Sequence, residues 1–303
     1  MDVETISPST HRFGRVALIG RPNVGKSTLL NALLGTKLSI VTPKPQTTRH
    51  RILGIVTHAD SQIAFIDTPG LHQGGKRALN RQLNRIARQV PDEADVLVHV
   101  IDGIRWRDED EDVWKLIAAQ SSPCLLVVNK VDKLPDKTTL LPFAAQVTQE
   151  RPYKSVHFIV ARRGDGVRAL LDELVGLMPH GDAEYGEDEF TDRSERFLVA
   201  EMIREQLMLQ LAEELPYATA VEIERFEDEP GLTRIGAVIW VERDGQKGIV
   251  IGAGGGQLKK IGSSARRAME TVLDRRVFLE LFVRVRESWS DDAAALRQFG
   301  YSE

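Results

Sequence analysis

The stretch Gly20-Arg21-Pro22-Asn23-Val24-Gly25-Lys26-Ser27 constrains the fold of this 303-residue chain more than any other. It follows the apolar run Val16-Ala17-Leu18-Ile19 and precedes a helix-like segment from Thr28 to Leu34. The pattern G-x-x-x-x-G-K-[ST] acts as a phosphate cradle only in that strand–loop–helix setting. Its glycines let the backbone curve round an anion with N–H groups inward, and the helix N-terminus adds positive potential. Lys26 then reaches the β- and γ-phosphates of a nucleotide, and the Ser27 hydroxyl ligates Mg²⁺. The competing reading is a plain glycine turn with a solvated lysine, and the flanking strand and helix argue against it.

From Gly14 to about Met178, apolar strand-like runs alternate with helical patterns. Strands are expected near Arg15–Ile19, Ile52–His58, Gln62–Ile66, Val96–Ile101, Cys124–Val128 and Val156–Val160, and helices near Lys26–Leu34, Asn80–Gln89, Asp110–Ala119, Leu140–Gln149 and Val167–Leu177. Such alternation predicts an α/β domain with a mostly parallel sheet and helices on both faces, its ligand beyond the carboxyl ends of the strands. Two further patterns fall at strand ends. Asp67-Thr68-Pro69-Gly70 closes one strand, where a carboxylate can hold Mg²⁺ and the Gly70 N–H can meet a γ-phosphate without Cβ obstruction. Asn129-Lys130-Val131-Asp132 closes another. The Asp132 carboxylate can accept from guanine N1–H and the exocyclic amine, a donor pair that adenine lacks. Asn129 can steady base and loop, while the Lys130 stem packs on the ring. Between the loop 20–27 and Asp67, Thr36 to Arg51 is rich in Thr, Pro and Lys, and Gln46-Thr47-Thr48-Arg49-His50 can place the Thr48 hydroxyl on Mg²⁺ while a γ-phosphate is present.

Residues 180–194 are acidic, glycine-containing and aperiodic, and read as a linker between a domain over 14–179 and a second over 195–303, with 1–13 a flexible start. Beyond the linker, a helix to about Glu214, two strands, a short helix Lys247–Ile251, a longer helix Gln257–Leu273 and a strand Val277–Val285 are expected. The first of these helices lines one face with Ala200, Ile203, Leu207 and Leu211. Net charge is −4 overall, but residues 181–230 carry 16 Asp+Glu against 4 Lys+Arg, and residues 247–286 carry 9 Lys+Arg against 3 Asp+Glu. A basic block after an acidic one suits a phosphate backbone better than the sum implies. No apolar run approaches a membrane span, no secretory signal is evident, Cys124 reads as a buried small side chain, and the seven histidines lack ligand spacing.

Together these motifs resemble the Era-type GTPases of bacteria, from Val16 through Tyr301. By that resemblance Gly20–Ser27, with Thr28 after it, Gln46–His50, Asp67–Gly70, with Leu71 after it, and Asn129–Asp132 are the first four guanine-nucleotide motifs. The fifth, usually Ser-Ala-Lys, reads Val160-Ala161-Arg162: the serine is absent, but Ala161 can offer its N–H to the guanine carbonyl and Arg162 its plane to the base. Leu71 stands where Ras-like enzymes keep a water-orienting glutamine, so hydrolysis rests on Lys26, Ser27, Thr48, Asp67, Gly70 and Mg²⁺, with Asn23 a candidate ligand for K⁺. The second domain resembles a type II KH domain, an α+β fold whose G-x-x-G loop is Gly252-Ala253-Gly254-Gly255, backed by Lys259, Lys260, Arg266 and Arg267. Relatives often carry lysine where Ala253 stands. Phe282 and Trp289 are candidates for base stacking, with packing as the competing reading. The resemblance implies a GTP/GDP switch, monomeric and cytoplasmic, that binds the 3′-end region of 16S rRNA and assists rRNA processing and 30S assembly. It also implies peripheral inner-membrane association, which no amphipathic segment compels. The alternatives are an ATP-using P-loop enzyme, in which Asp132 has no task, and a non-catalytic RNA-binding scaffold that holds nucleotide for structure.

Overall fold

The computed structural model describes residues 11–71 and 77–301. Two compact units emerge, one of residues 1–38, 51–73 and 84–192, the other of residues 39–50, 74–83 and 193–303. In the first unit, β1 (Arg12–Ile19), β2 (Ile52–His58), β3 (Ser61–Asp67), β4 (Val96–Asp102), β5 (Cys124–Asn129) and β6 (Val156–Phe158) form one sheet in the order β2-β3-β1-β4-β5-β6. β2 and β3 are antiparallel because only Ala59 and Asp60 connect them, too short a link for a crossover; the remaining pairs are parallel. Helix α1 (Lys26–Leu34) follows β1, α3 (Asp108–Ala118) joins β4 to β5, α4 (Leu140–Glu150) joins β5 to β6 and α5 (Val167–Leu177) follows the last strand; α2 (Ala78–Gln89), between β3 and β4, begins in the second unit.

The central strands are buried on both faces, as parallel strands covered by helices must be. Val96, Leu97, Val98, Val100 and Ile101 of β4 are all inaccessible, and so is His99 in their midst. Its Nδ1 lies 2.7 Å from the Tyr153 hydroxyl and its ring meets Trp106 edge-on at 5.5 Å. Cys124 is buried, its thiol pushed up to about 12 by desolvation. Residues 180–192 lie along this unit rather than apart from it. Gln62 accepts the amides of Glu184 and Tyr185 (both 3.0 Å), Ile55 donates to the Phe190 carbonyl (2.9 Å), and Thr191 bridges to Gly54.

The second unit contains α6 (Glu195–Gln210), β7 (Ala220–Glu229), β8 (Leu232–Val241), α7 (Asp244–Ile251), α8 (Gly256–Leu273), β9 (Arg276–Val285) and α9 (Ala293–Gln298). Its sheet runs β7-β8-β9, with β7 antiparallel and β9 parallel to β8 and a bulge between Ile223 and Arg225. The parallel pair follows from the α7–α8 crossover, and the α-β-β-α-α-β order is that of a type II KH domain. α6 ends four residues before the expected Glu214; Leu211 is extended, and Pro216, which cannot donate a helical hydrogen bond, opens a separate turn over Leu215–Ala218. Nor does α6 bury only a stripe. Glu201, Arg204 and Glu205 are within 5% of full burial, because residues 39–50 cover the polar side: Arg204 donates to the Thr47 carbonyl and pairs with Glu201 at 2.6 Å, and Glu205 accepts the Val41 amide at 3.0 Å. Trp289 is wholly buried, donating to the Ala218 carbonyl (3.1 Å) and packed on Phe299 and Tyr301, so packing and not base stacking is its role. No helix among the described residues is long and apolar enough to cross a membrane.

Burial lowers the His99 pKa to about 3, against ~6.5 for a free imidazole. Between those values the unfolded chain binds one more proton than the folded one, so this stability is present above ~6.5 and is lost as pH falls, at up to about 1.4 kcal/mol per pH unit. His99→Gln should keep a partner for Tyr153 yet flatten the fall of the melting midpoint between pH 7 and pH 5, read by circular dichroism.

Candidate nucleotide and RNA sites

The loop 20–25 joins β1 to α1, and its geometry needs its glycines. Gly25 has φ +104°, and a Cβ there would lie 2.3 Å from Asn129 Nδ2; a Cβ on Gly20 would lie 2.3 Å from the Val100 carbonyl oxygen. Asn23 is also left-handed (φ 62°) and exposed at the loop tip. Lys26 opens α1 at 6% exposure, its ammonium donating to the carbonyls of Gly20 (2.8 Å) and Arg21 (3.0 Å). With the ammonium drawn back onto the loop, desolvation lowers its pKa to about 8 despite Asp67.

Asp67, fully buried at the end of β3, accepts from the Ser27 hydroxyl at 2.6 Å. A hydroxyl beside a carboxylate is the hard-oxygen pairing that suits Mg²⁺ with waters and phosphate oxygens completing its shell. Among the described residues there is no cluster of three or more His, Cys, Asp or Glu of the sort a transition metal would use. Thr68 donates to the Leu18 carbonyl (3.0 Å), fixing the segment after β3 to the strand before the loop. Gly70 is pressed against the loop, a Cβ there falling 2.7 Å from Pro22 N. Leu71 packs on the apolar core, so no polar side chain occupies that position. Thr48 belongs to the segment 39–50, which groups with the second unit, and is 8% exposed. Of the flexible start expected over residues 1–13, residues 1–10 lie outside the described residues while Arg12 and Phe13 open β1; residues 72–76, after Leu71, also lie outside the described residues.

At the end of β5, Asn129 is 2% exposed and ties three segments together. Its Nδ2 donates to the Val24 carbonyl (2.9 Å), and its Oδ1 accepts the amides of Lys130 (2.8 Å) and Ala161 (3.0 Å). The Ala161 amide, expected to face the guanine carbonyl, is thus engaged within the protein, since a buried Asn oxygen needs donors. Val160 is 5% exposed in the apolar core, its own amide donating to the Asp165 carbonyl at 3.0 Å; the missing serine is replaced by packing. Val131 is buried, while Asp132 and Arg162 are exposed. Lys130, left-handed at φ 62°, donates to the Asn23 carbonyl and to Asp102 Oδ2 (3.1 Å), and burial lowers its pKa to about 8.

The Arg21 guanidinium is engaged within the protein: it donates to Asp102 and, from Nε, to Asp110 Oδ2 at 3.3 Å. Neither carboxylate belongs to a nucleotide motif. A legible signal existed for Asp102, which ends the strand beside the one that feeds the loop.

In the second unit, Gly252, Gly254 and Gly255 have φ of 70°, 55° and 78°, between α7 and α8. A Cβ on Gly252 would strike Gln257 at 2.6 Å, whereas Gly254 and Gly255 face open space. Ala253, Lys259 and Lys260 are exposed. Beside the loop lies a cavity of about 350 Å³, lined by Gly255, Leu258, Lys259, Arg266, Leu279 and Leu281 among others. An apolar floor with cationic walls suits a base and its phosphate. Phe282, on the other side of β9, is 51% exposed.

The family described as 50S ribosome-binding GTPase matches residues 15–130, and the KH domain family matches residues 214–290. The chain is 57% identical over 297 residues to GTPase Era of Xanthomonas oryzae pv. oryzae, covering 98% of this chain and 99% of that one. It is 58% identical over 293 residues to GTPase Era of Xanthomonas campestris pv. campestris (97% and 98% covered). Two solved Era structures superpose with TM-score 0.93 at 38% identity. One is an Aquifex aeolicus variant bound to GDP and AlF₄⁻ (96% of this chain, 100% of that one); the other is Era in complex with MgGDPNP and nucleotides 1506–1542 of 16S ribosomal RNA (97% and 100%). The strand-end motifs, the G-x-x-G unit and identity along nearly the whole length lead to one conclusion: the chain belongs to the Era family of GTPases.

Proposed function

We propose that this protein is a GTP-hydrolysing switch that binds the 3′-end region of 16S rRNA through its KH unit and assists small-subunit assembly. The observation that carries the reading is the pairing, in one chain, of an exposed carboxylate at Asp132 with the open glycine loop 252–255 and its cation-walled cavity. The solved Era that holds both MgGDPNP and 16S nucleotides supports it. In this reading the loop 20–28 wraps the phosphates, Lys26 leaves the loop carbonyls for the β- and γ-oxygens, and Gly70 presents its amide to the γ-phosphate. Ser27, Thr48 and Asp67 would hold Mg²⁺, which would supply neutralising positive charge to the phosphates. With Leu71 turned into the core, no side chain there orients water, so a monovalent cation on Asn23 would assist. Binding to the cytoplasmic face of the inner membrane and a monomeric state remain part of the family expectation.

Coupling between the two activities follows from residues 39–50. Arg49 is wholly buried, donating to the carbonyls of Thr219 (2.8 Å) and Tyr217 (3.0 Å), and His50 stacks on Tyr301 at 4.8 Å. Thr48 lies in this same segment, so a triphosphate-dependent contact of Thr48 would disturb hydrogen bonds of the KH unit's own core.

Three outcomes test these assignments. Asp132→Asn exchanges an acceptor pair for an acceptor and a donor, so it should turn base preference from guanine to xanthine, read by competition between GDP and XDP. Unchanged guanine preference would remove Asp132 from base recognition. Hydrolysis should run faster in KCl than in NaCl; equal rates exclude the Asn23 cation. Gly255→Asp places a carboxylate where RNA phosphate would pass, and should weaken crosslinking to a 16S 3′-end oligonucleotide roughly tenfold or more while leaving hydrolysis without RNA intact. In the unaltered protein that crosslinking should be stronger with GTP than with GDP, and indifference to nucleotide would refute the coupling.

A further inference from the structure

We propose that Asp102 and Asp110 are positioning residues that hold the phosphate loop and the guanine-reading segment in register, through Arg21 and Lys130. The inference rests on the nucleotide site proposed above. β4 lies between β1 and β5 in the sheet, so its carboxyl end stands between the loop 20–25 and the segment 129–132. Asp102 is the last residue of β4 and pairs in register with Asn129. Its two carboxylate oxygens are divided: Oδ1 accepts from the Arg21 guanidinium, and Oδ2 from the Lys130 ammonium at 3.1 Å. Asp110, in the first turn of α3, accepts the Arg21 Nε–H on its Oδ2 at 3.3 Å, and the same oxygen accepts the Arg107 amide at 3.1 Å.

Burial makes this arrangement more than a surface ion pair. Arg21 is 7% exposed and Asp110 is 0% exposed. A planar guanidinium that splits its donors between two carboxylates has one orientation, and it thereby fixes the loop backbone on either side of it. Two cations face two carboxylates, so the clamp is neutral and leaves the positive potential of the cradle to Lys26 and the backbone amides. Lys130 also donates to the Asn23 carbonyl, so Asp102 touches the loop twice, once through Arg21 and once through Lys130. Removing one partner from such a buried set leaves an uncompensated charge, whereas removing a pair does not.

Asp102 is the better handle, because its side chain is 23% exposed and Asn is isosteric with it. The test measures GDP affinity by fluorescence titration, and kcat and KM for GTP, in the full chain carrying Asp102→Asn or Asp102→Glu. Asp102→Asn should weaken GDP binding and raise KM by roughly ten- to a hundredfold, the range over which supporting partners act on the ligands they orient, while kcat at saturating GTP is retained. Asp102→Glu, which keeps the charge and both acceptors, should recover most of the affinity. Wild-type affinity in a folded Asp102→Asn protein overturns the proposal, as does equal impairment by Asn and Glu, or a loss confined to kcat. If Asp110→Asn fails to fold, the double variant Arg21→Ala/Asp110→Ala, which removes both buried charges, gives the same reading: weakened GDP binding supports the clamp, and unchanged binding refutes it. Failure of the nucleotide site itself is read separately, from the Asp132→Asn competition.

Discussion

The side-chain amide of Asn129 is where the candidate nucleotide site is held together. It satisfies the Val24 carbonyl on one side and the amides of Lys130 and Ala161 on the other, at 2.8–3.0 Å and 2% exposure. Lys130 follows Asn129 directly, whereas the Val24 carbonyl and the Ala161 amide come from two other segments and are buried. Leaving a buried polar group unpaired costs about 1–3 kcal/mol, so one amide placed this way decides the relative position of three loops. The absence of a side chain on Gly25 is part of the same constraint, because a methyl group there would occupy the amide's place. The phosphate loop is therefore shaped by β5 and the segment after β6 as much as by its own residues.

Charge plays the corresponding part in the second unit. Arg49, Arg204 and Glu201 are all but inaccessible, and burial works against the charged forms while the mutual pairing of Arg204 and Glu201 restores them. Backbone carbonyls of Thr47, Thr219 and Tyr217 take up several of the arginine donors, though Arg49 Nε and Arg204 Nη1 stay without a hydrogen-bond partner. Such contacts are directional, unlike apolar packing. They fix residues 39–50 against α6 in one arrangement, so a displacement of Thr48 has a specific set of hydrogen bonds to break.

Much of the architecture was legible in the chain. The apolar runs of the six-stranded sheet were legible because parallel strands covered on both faces need continuous hydrophobic side chains, and glycine-containing turns punctuated them. The alternation along β9 was legible for the opposite reason, one face being exposed: Phe278, Glu280 and Arg284 point outward while Val277 and Val283 are buried. What escaped were polar residues whose surroundings come from distant segments. α6 read as a helix with one apolar stripe, yet its polar side is buried by residues 150 or so positions earlier. Residues 180–194 read as an aperiodic linker, since hydrogen bonds to Gln62, Leu53 and Ile55 leave no periodic trace. Trp289 offered two readings, and only its burial chose between them.

By itself the sequence set the expectations of chemistry: which loop would curve round phosphate, which carboxylate would distinguish guanine from adenine, and which glycines would admit an RNA backbone. Those properties reside in residue type and local spacing, because backbone permissiveness and donor–acceptor pattern are local. Only the tertiary structure decided what each charged or polar side chain touches. It turned Arg21 toward Asp102 and Asp110, engaged the Ala161 amide with Asn129, and gave residues 39–50 to the second unit's core. Pairing of buried polar groups is settled by segments far apart in the chain that meet when the sheet and helices assemble, and no local pattern encodes that meeting.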